Sequence, residues 1–259
     1  MVERQSDIPG RRPADGKLPR VSPGRRVYAI GDIHGRFDLL LQLLAAIRED
    51  ASRPPAGSGD CANVLIYIGD YVDRGPESFE VVDHLVHDAE PGFETVFLKG
   101  NHEDLLVRFA NDGALGEAWM MNGGVATLQS YGVNAAVLVD DPDPLDAVRR
   151  EFVKLLPQSH RDFYKALKLS HVEGDYVFVH AGFRPGVALN KQSEADMLWI
   201  RGEFLDSDAD FGRVVVHGHS IRPIPDIQLN RIGIDTGAFY TNRLTCLVLE
   251  GEDRRFLQT

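Results

Sequence analysis

Basic charge is what this 259-residue chain is short of: 28 Lys and Arg stand against 39 Asp and Glu, for a formal net charge of −11. Broad binding to nucleic acid or to an anionic membrane needs a basic surface, so neither is expected as a partner. A phosphate-bearing substrate is not excluded. Screening over about 8 Å at physiological salt leaves the local charge of a site in control. Cysteine is equally scarce, at two residues, and Cys61 and Cys246 lie far apart and outside every motif. They cannot build a disulfide framework and read as ordinary thiols of a reducing compartment. Long apolar runs are missing too, so no membrane span or signal peptide is expected. Arg11-Arg12 has no hydrophobic region after it, which rules out a twin-arginine signal. The expected location is cytoplasmic.

What the chain does have is enough apolar material, 43% of residues, for a full core without covalent support. Residues 1–24 carry scattered charge with Pro9, Gly10, Pro13, Gly16, Pro19, Pro23 and Gly24, and are expected to form a disordered leader. A single folded domain is expected over 25–259. Leu39, Leu40, Leu43, Leu44 and Ile47 recur at helical spacing, and Phe79, Val82, Leu85 and Val86 mark a second helix begun near Pro76. Ser52 to Asp60 reads as a loop. From about 103 to 168 the pattern turns to helix and loop, a helical insertion in which Leu105, Leu106 and Phe109 mark one helix and Leu145, Val148, Phe152 and Leu155 another. The acidic, proline-broken Asp140–Pro144 links them. Glu173-Gly174 reads as a hairpin turn, and Arg231–Ile234 and Leu244–Leu249 as late strands.

Five short apolar runs each end in a residue able to hold a metal ion. Val27–Ile30 leads into Gly31-Asp32-Ile33-His34-Gly35, and Val64–Ile68 into Gly69-Asp70-Tyr71-Val72-Asp73-Arg74-Gly75. Thr95–Leu98 leads to Gly100-Asn101-His102-Glu103, Tyr176–Val179 to His180-Ala181-Gly182, and Arg213–Val216 to His217-Gly218-His219. Such runs read as buried strands, and in α/β sheets functional loops sit at their carboxyl ends. Any one of these segments alone reads as a β-turn, since Gly-Asp and His-Gly both favour turns. Repetition changes that, because coincident turns that all carry ligand types are improbable. Mixed oxygen and nitrogen donors without cysteine disfavour a structural zinc site and suit Mn or Fe, with Zn or Mg as alternatives. Two such ions roughly 3.5–4 Å apart would activate water for an in-line displacement.

His102 follows Asn101 directly, so if Asn101 holds metal, His102 is directed toward a leaving group. A neighbouring carboxylate would keep it protonated as a general acid, and Asp73 is the candidate. Arg74 offers a planar fork to phosphate oxygens; Arg201 is marked less clearly by spacing. His84 and His87 suit a surface helix. Asp206, Asp208 and Asp210 imitate the opening of a calcium loop, but Phe211 stands where glycine is required. His160 and His171 lie outside any ligand cluster.

The first three glycine-led segments match, in order, the three signatures of the phosphoprotein phosphatase family of metallophosphoesterases, and His180-Ala181-Gly182 and Gly218-His219 match its remaining ligand motifs. Within the family the chain most resembles the bacterial and phage lambda-type phosphatases, through Trp119-Met120-Met121-Asn122-Gly123-Gly124, Trp199-Ile200-Arg201 and Ile234-Asp235-Thr236-Gly237-Ala238. The resemblance implies an α/β fold, a four-layer α-β-β-α sandwich. It implies one metal on Asp32, His34 and Asp70 and a second on Asp70, Asn101, His180 and His219, with Asp70 bridging. Arg74 and Arg201 would bind the substrate phosphate, and His102 with Asp73 would protonate the leaving oxygen. His217 is no ligand in that pattern and is expected beside the ligands or lining the pocket. Nothing matches the catalytic-loop sequence near the C-terminus of the eukaryotic enzymes.

The implied activity is hydrolysis of phosphoserine and phosphothreonine, with phosphotyrosine as a further substrate, in a phosphorylated protein or peptide. A hydroxide bridging two divalent metals, Mn for preference, would attack phosphorus directly. A symmetrical bis(5'-nucleosyl)-tetraphosphate hydrolase shares the same metal core and is the main alternative, with Asp73 and Glu103 favouring the protein phosphatases. An inactive phosphoprotein-binding scaffold is the third reading, but its mark would be a lost ligand, His102 or Arg74, and all are present.

Overall fold

The computed structural model describes residues 3–5, 18–55, 61–88, 90–134 and 141–259. Two β-sheets pack face to face with helices on both outer surfaces, the four-layer α-β-β-α arrangement. The first sheet has the order β1-β11-β10-β2-β3-β4, built from β1 (Glu3–Gln5), β2 (Arg25–Ile30), β3 (Ala62–Tyr67), β4 (Phe93–Phe97), β10 (Thr245–Glu250) and β11 (Asp253–Gln258). The second has the order β5-β6-β7-β9-β8, from β5 (Ser170–Glu173), β6 (Tyr176–Val179), β7 (Val214–His217), β8 (Asp226–Ile227) and β9 (Arg231–Gly233).

Strand alternation builds the layers. In β2 and β3, Val27, Ala29, Val64 and Ile66 face the second sheet, where they meet Phe178 of β6 and Val216 of β7. Tyr28, Ile30, Leu65 and Tyr67 point the other way, onto α1 (Phe37–Ala51) and α2 (Ser78–His87). The outer face of the second sheet, with Val177 and Val215, is covered by Met197 of α8 (Glu194–Trp199) and Phe204 of α9 (Gly202–Leu205). Because β2, β3 and β4 run parallel, with α1 and α2 crossing between them, their carboxyl ends share one edge. The parallel β6 and β7 deliver theirs to the same region.

The helical stretch contains α3 (Asn101–Asp112), α4 (Gly116–Trp119), a turn over Met120–Gly124 kinked at Gly123 (φ 102°), α5 (Val125–Ser130), α6 (Pro144–Leu155) and α7 (Gln158–Ala166). Its apolar faces join the helix layer of the first sheet through Phe109, Trp119 and Phe152.

Two expectations need correction. The described part of the expected leader is packed: Val21 is buried between the sheets, its N–H donates to Gly251 O at 3.2 Å, and Glu3–Gln5 pairs with β11. His217 turns away from the ligands. It follows Val215 on the outward-facing side of β7 and packs its ring edge on Phe204 at 5.1 Å. The strands β5, β6, β7, β9 and β10 fall where the pattern places them. The rest of the leader, residues 56–60 of the expected Ser52–Asp60 loop, and Asp140 of the acidic linker lie outside the described residues.

Phe178 is fully buried between the sheets, so Phe178→Ala should cost about 3–5 kcal/mol of folding stability. Urea unfolding would measure it, and a loss below about 1 kcal/mol would contradict the packing described.

Candidate metal centre

Most site residues sit on loops that leave a strand sharply, while Asn101 and His102 open α3 and Arg201 lies between α8 and α9, and the backbone records the constraint. His34 (φ 48°), Asp70 (φ 52°), Asp73 (φ 74°), Arg74 (φ 71°) and His219 (φ 62°) all adopt the left-handed region, which non-glycine residues rarely enter. Strain of this kind persists only where the surroundings over-determine it. Here the Asp70 carbonyl accepts the N–H groups of Ile33 (3.1 Å) and His34 (2.9 Å), tying the first loop to the second. The fully buried Glu103 carboxylate then accepts N–H groups from Asp70 (2.9 Å), Tyr71 (2.8 Å) and Gly100 (2.9 Å). Burial, with Asp70 nearby, pushes Glu103 up to about 8, and the three short N–H contacts oppose that by favouring the anion.

The loops bring two groups of ligand-type side chains around one carboxylate. His34, Asp70 and His102 form one; Asp70, His180 and His219 form the other, with ligand atoms in each group within 4.8 Å of one another. Asp70 Oδ2 lies 3.5 Å from His34 Nε2, and Oδ1 lies 3.4 Å from His180 Nε2. Burial alone would raise Asp70, but the surrounding His180, His102, His34 and His219 outweigh it and hold the carboxyl below its ordinary value. Asn101 joins the second group, its Oδ1 2.8 Å from His180 Nε2. Asp32 is buried beside both, one oxygen accepting His219 N–H at 3.0 Å.

Unmet lone pairs in this donor set fit a pair of cations. His34 Nδ1 is 2.9 Å from Val72 O, and His180 Nδ1 is 3.1 Å from Ile68 O. A carbonyl can only accept, so both Nδ1 atoms carry the proton and both Nε2 atoms face the cluster as acceptors. Burial, followed by charge repulsion from His102 in the case of His34, lowers both rings below the ordinary imidazole value and keeps them neutral. His180 Nε2 therefore confronts the Asn101 amide oxygen, acceptor against acceptor. Asp32 Oδ1 and His219 Nε2 are buried with no hydrogen-bond partner. Burial first, then Asp235 and Asp70, pushes Asp32 well above the carboxylate range. Gly218 permits this crowding, since a Cβ there would fall 2.0 Å from Asp32 Oδ1. Positive charge between these atoms would relieve every one of these costs.

His102 and Asp73 form a buried pair, Nδ1 to Oδ2 at 2.6 Å. Burial lowers His102, but Asp70 and Asp73 together outweigh it and raise the ring above its ordinary value. Asp73 receives further hydrogen bonds from Trp119 Nε1 (2.9 Å) and Thr127 Oγ1 (2.6 Å). Arg74 is half-buried, with Nη2 3.2 Å from His102 Nε2 and its backbone N–H on Gly123 O at 3.2 Å. Arg201, exposed, donates from Nη1 to His219 O at 3.0 Å. All ten expected residues thus converge around one centre. Trp119 and Thr127 were given no role from sequence: an indole or hydroxyl far along the chain carries no spacing signal toward Asp73.

A family model described as calcineurin-like phosphoesterase matches residues 25–224. The chain is 28% identical to serine/threonine-protein phosphatase 2 of Escherichia coli K12, over 85% of this chain and 91% of that protein. It is 27% identical to an asymmetrical bis(5'-nucleosyl)-tetraphosphatase, PrpE, of Anoxybacillus flavithermus, over 84% and 88% respectively. Its fold is similar to that of a mutant cold-active protein tyrosine phosphatase, with a TM-score of 0.57 at 16% identity, covering 95% of this chain and 86% of that one.

Two outcomes should follow. Saturating divalent metal, added to chelator-stripped protein at about a hundredfold over Kd, should stabilise by about 2.7 kcal/mol per site in calorimetric melting. Asp70→Asn should abolish most of that gain, because both groups share it. A melting temperature indifferent to every divalent ion would refute the site. Separately, Trp119→Phe should cost about 1.5–3 kcal/mol in urea unfolding, the cost of a lost bond to a buried charge; an unchanged midpoint would remove Trp119 from its role.

Proposed function

The chain belongs to the calcineurin-like phosphoesterase family, and from that premise we propose a metal-dependent phosphomonoesterase acting on phosphoserine and phosphothreonine in proteins, with phosphotyrosine as a further substrate. The observation that carries this reading is the His102–Asp73 pair. An alkoxide of serine or threonine is a poor leaving group and needs a proton as its bond to phosphorus breaks. A nucleotide leaving from an anhydride needs far less help. A buried imidazole held at 2.6 Å to a carboxylate, itself supported by Trp119 and Thr127, is suited to the harder task.

The chain's own groups divide the work. Asp73 orients His102 and stabilises its imidazolium, and His102 Nε2 delivers the proton to the leaving oxygen. Arg74 and Arg201 neutralise and align the phosphate oxygens. Phosphate arrival frees Arg74 Nη2 from His102 Nε2, leaving that nitrogen to face the leaving group. A pair of divalent cations would supply Lewis acidity toward water and phosphate. The mixed oxygen and nitrogen donors favour Mn, ahead of Fe, Zn or Mg. A cytoplasmic phosphoprotein is the proposed partner, in keeping with the two free cysteines.

A second reading, hydrolysis of a bis(5'-nucleosyl) tetraphosphate, draws support from the relative of that name. Parallel assays with phosphopeptides and diadenosine tetraphosphate, each with Mn loaded, separate the two. The expected result is higher kcat/KM on phosphopeptide, and a drop in kcat of about 10²–10⁴-fold in His102→Asn with its melting temperature retained. Turnover of the tetraphosphate alone, insensitive to His102→Asn, would establish the second reading instead.

A further inference from the structure

Among the described residues only two aromatic side chains are exposed, Trp199 (41%) and Tyr240 (58%), and both stand at the rim of the metal centre. Trp199 meets His219 edge-on at 6.1 Å between ring centroids. Tyr240 meets Phe239 at 5.1 Å, and Phe239 in turn meets His34 at 5.5 Å and lies under the Arg74 guanidinium at 4.7 Å. The two rings therefore flank opposite ends of the cluster. Only one flank is the leaving-group flank: His102 lies 4.6 Å from His34 between ring centroids and 3.2 Å from Arg74, the same two residues that Phe239 touches.

The mount for these rings is rigid. Phe239 and Tyr240 lie on α10 (Ala238–Thr241), a single turn between left-handed Gly237 (φ 69°) and Asn242 (φ 58°). Arg36 pins it from α1's start, donating to Ala238 O at 3.0 Å and to Asn242 Oδ1 at 2.6 Å. Thr241 Oγ1 closes the turn onto Thr236 O at 2.9 Å. The Tyr240 ring rests on Gly237, where a Cβ would stand 2.4 Å from Cε1, so it is held against the turn instead of sweeping through solvent. An exposed ring fixed in this way presents a face at little entropic cost on binding.

We propose that Phe239 and Tyr240 form a specificity wall that favours a leaving group carrying a planar aromatic ring, with phosphotyrosine the substrate it fits. This rests on the phosphomonoesterase reading above and refines it. Phe239 additionally positions Arg74, through contact between the guanidinium and the ring face. An aliphatic serine or threonine offers the wall only a peptide backbone, whereas a tyrosyl ring packs edge-on or offset against it.

The experiment compares two peptides of one sequence, phosphorylated on tyrosine or on serine, with Mn-loaded wild type, Tyr240→Ala, Tyr240→Phe and Trp199→Ala. Tyr240→Ala should lower the ratio of kcat/KM for the tyrosine peptide over the serine peptide by about tenfold, the scale of one lost aromatic stacking contact, chiefly through KM. Tyr240→Phe should restore the ratio, and Trp199→Ala should leave it near the wild-type value. An equal loss on both peptides, or an unchanged ratio in Tyr240→Ala, would overturn the wall. A loss in both Tyr240→Ala and Trp199→Ala confined to diadenosine tetraphosphate would also overturn it, in favour of a substrate with an aromatic group at each end. No turnover of either peptide by wild type would instead defeat the phosphomonoesterase reading itself.

Discussion

Everything at this site is arranged around one buried carboxylate, Asp70. Asp70 is almost fully enclosed, and its two oxygens face two different sets of imidazoles. An isolated charge in that position would cost many kcal/mol. Four histidines surround it, and its backbone sits in the left-handed region (φ 52°), with Oδ1 also accepting the His102 N–H at 3.1 Å. Of those histidines, His34 and His180 are neutral acceptors whose lone pairs need positive charge as much as Asp70 does. The arrangement is stable only as a unit, which is why five loops from two sheets must close at one place.

That unit explains the fold around it. Parallel β2, β3 and β4 put Asp32, Asp70 and Asn101 on one edge, and parallel β6 and β7 put His180 and His219 opposite. The sheets pack through Ala29, Val64 and Ile66 of the first against Phe178 and Val216 of the second, and their neighbouring edges bring side chains from both to one carboxylate. Glu103 then ties the N-terminus of α3 to the Asp70 loop. A shift of the helix layer would be felt at the ligands at once.

The helical stretch is part of the site as well as a neighbour of it. Trp119 and Thr127 fill the remaining acceptor capacity of Asp73, and the kinked turn at Gly123 (φ 102°) supplies the carbonyl that fixes the Arg74 backbone. Here the turn's carbonyl faces the residue expected to hold phosphate. Exposed Met121 (88%) lies on that same turn, open to whatever approaches.

Strand-end ligands were legible because the strands are short, apolar and glycine-terminated, and because a ligand one or two residues past a strand end has little freedom to point elsewhere. That pattern marked the five segments as ligand-bearing, while the choice of Asp32, His34, Asp70, Asn101, His180 and His219, with His219 preferred to His217, came from the resemblance to the phosphatase family. β11 escaped notice because Asp253, Arg254 and Arg255 mask its buried Phe256 and Leu257, and α7 because its apolar stripe is only His160, Phe163 and Tyr164. Burial of Val21 could not be read from the proline- and glycine-rich composition around it, because it depends on contacts with strands far along the chain. Local order along the chain thus determined which residues could be ligands and where the strands carrying them lay. Tertiary structure alone decided that Trp119 and Thr127 serve Asp73, that His217 turns outward, and that Phe239 and Tyr240 stand on the His34–Arg74 side of the centre. Those relations join residues far apart along the chain, and only the packing of helix on sheet and sheet on sheet sets the distances between them.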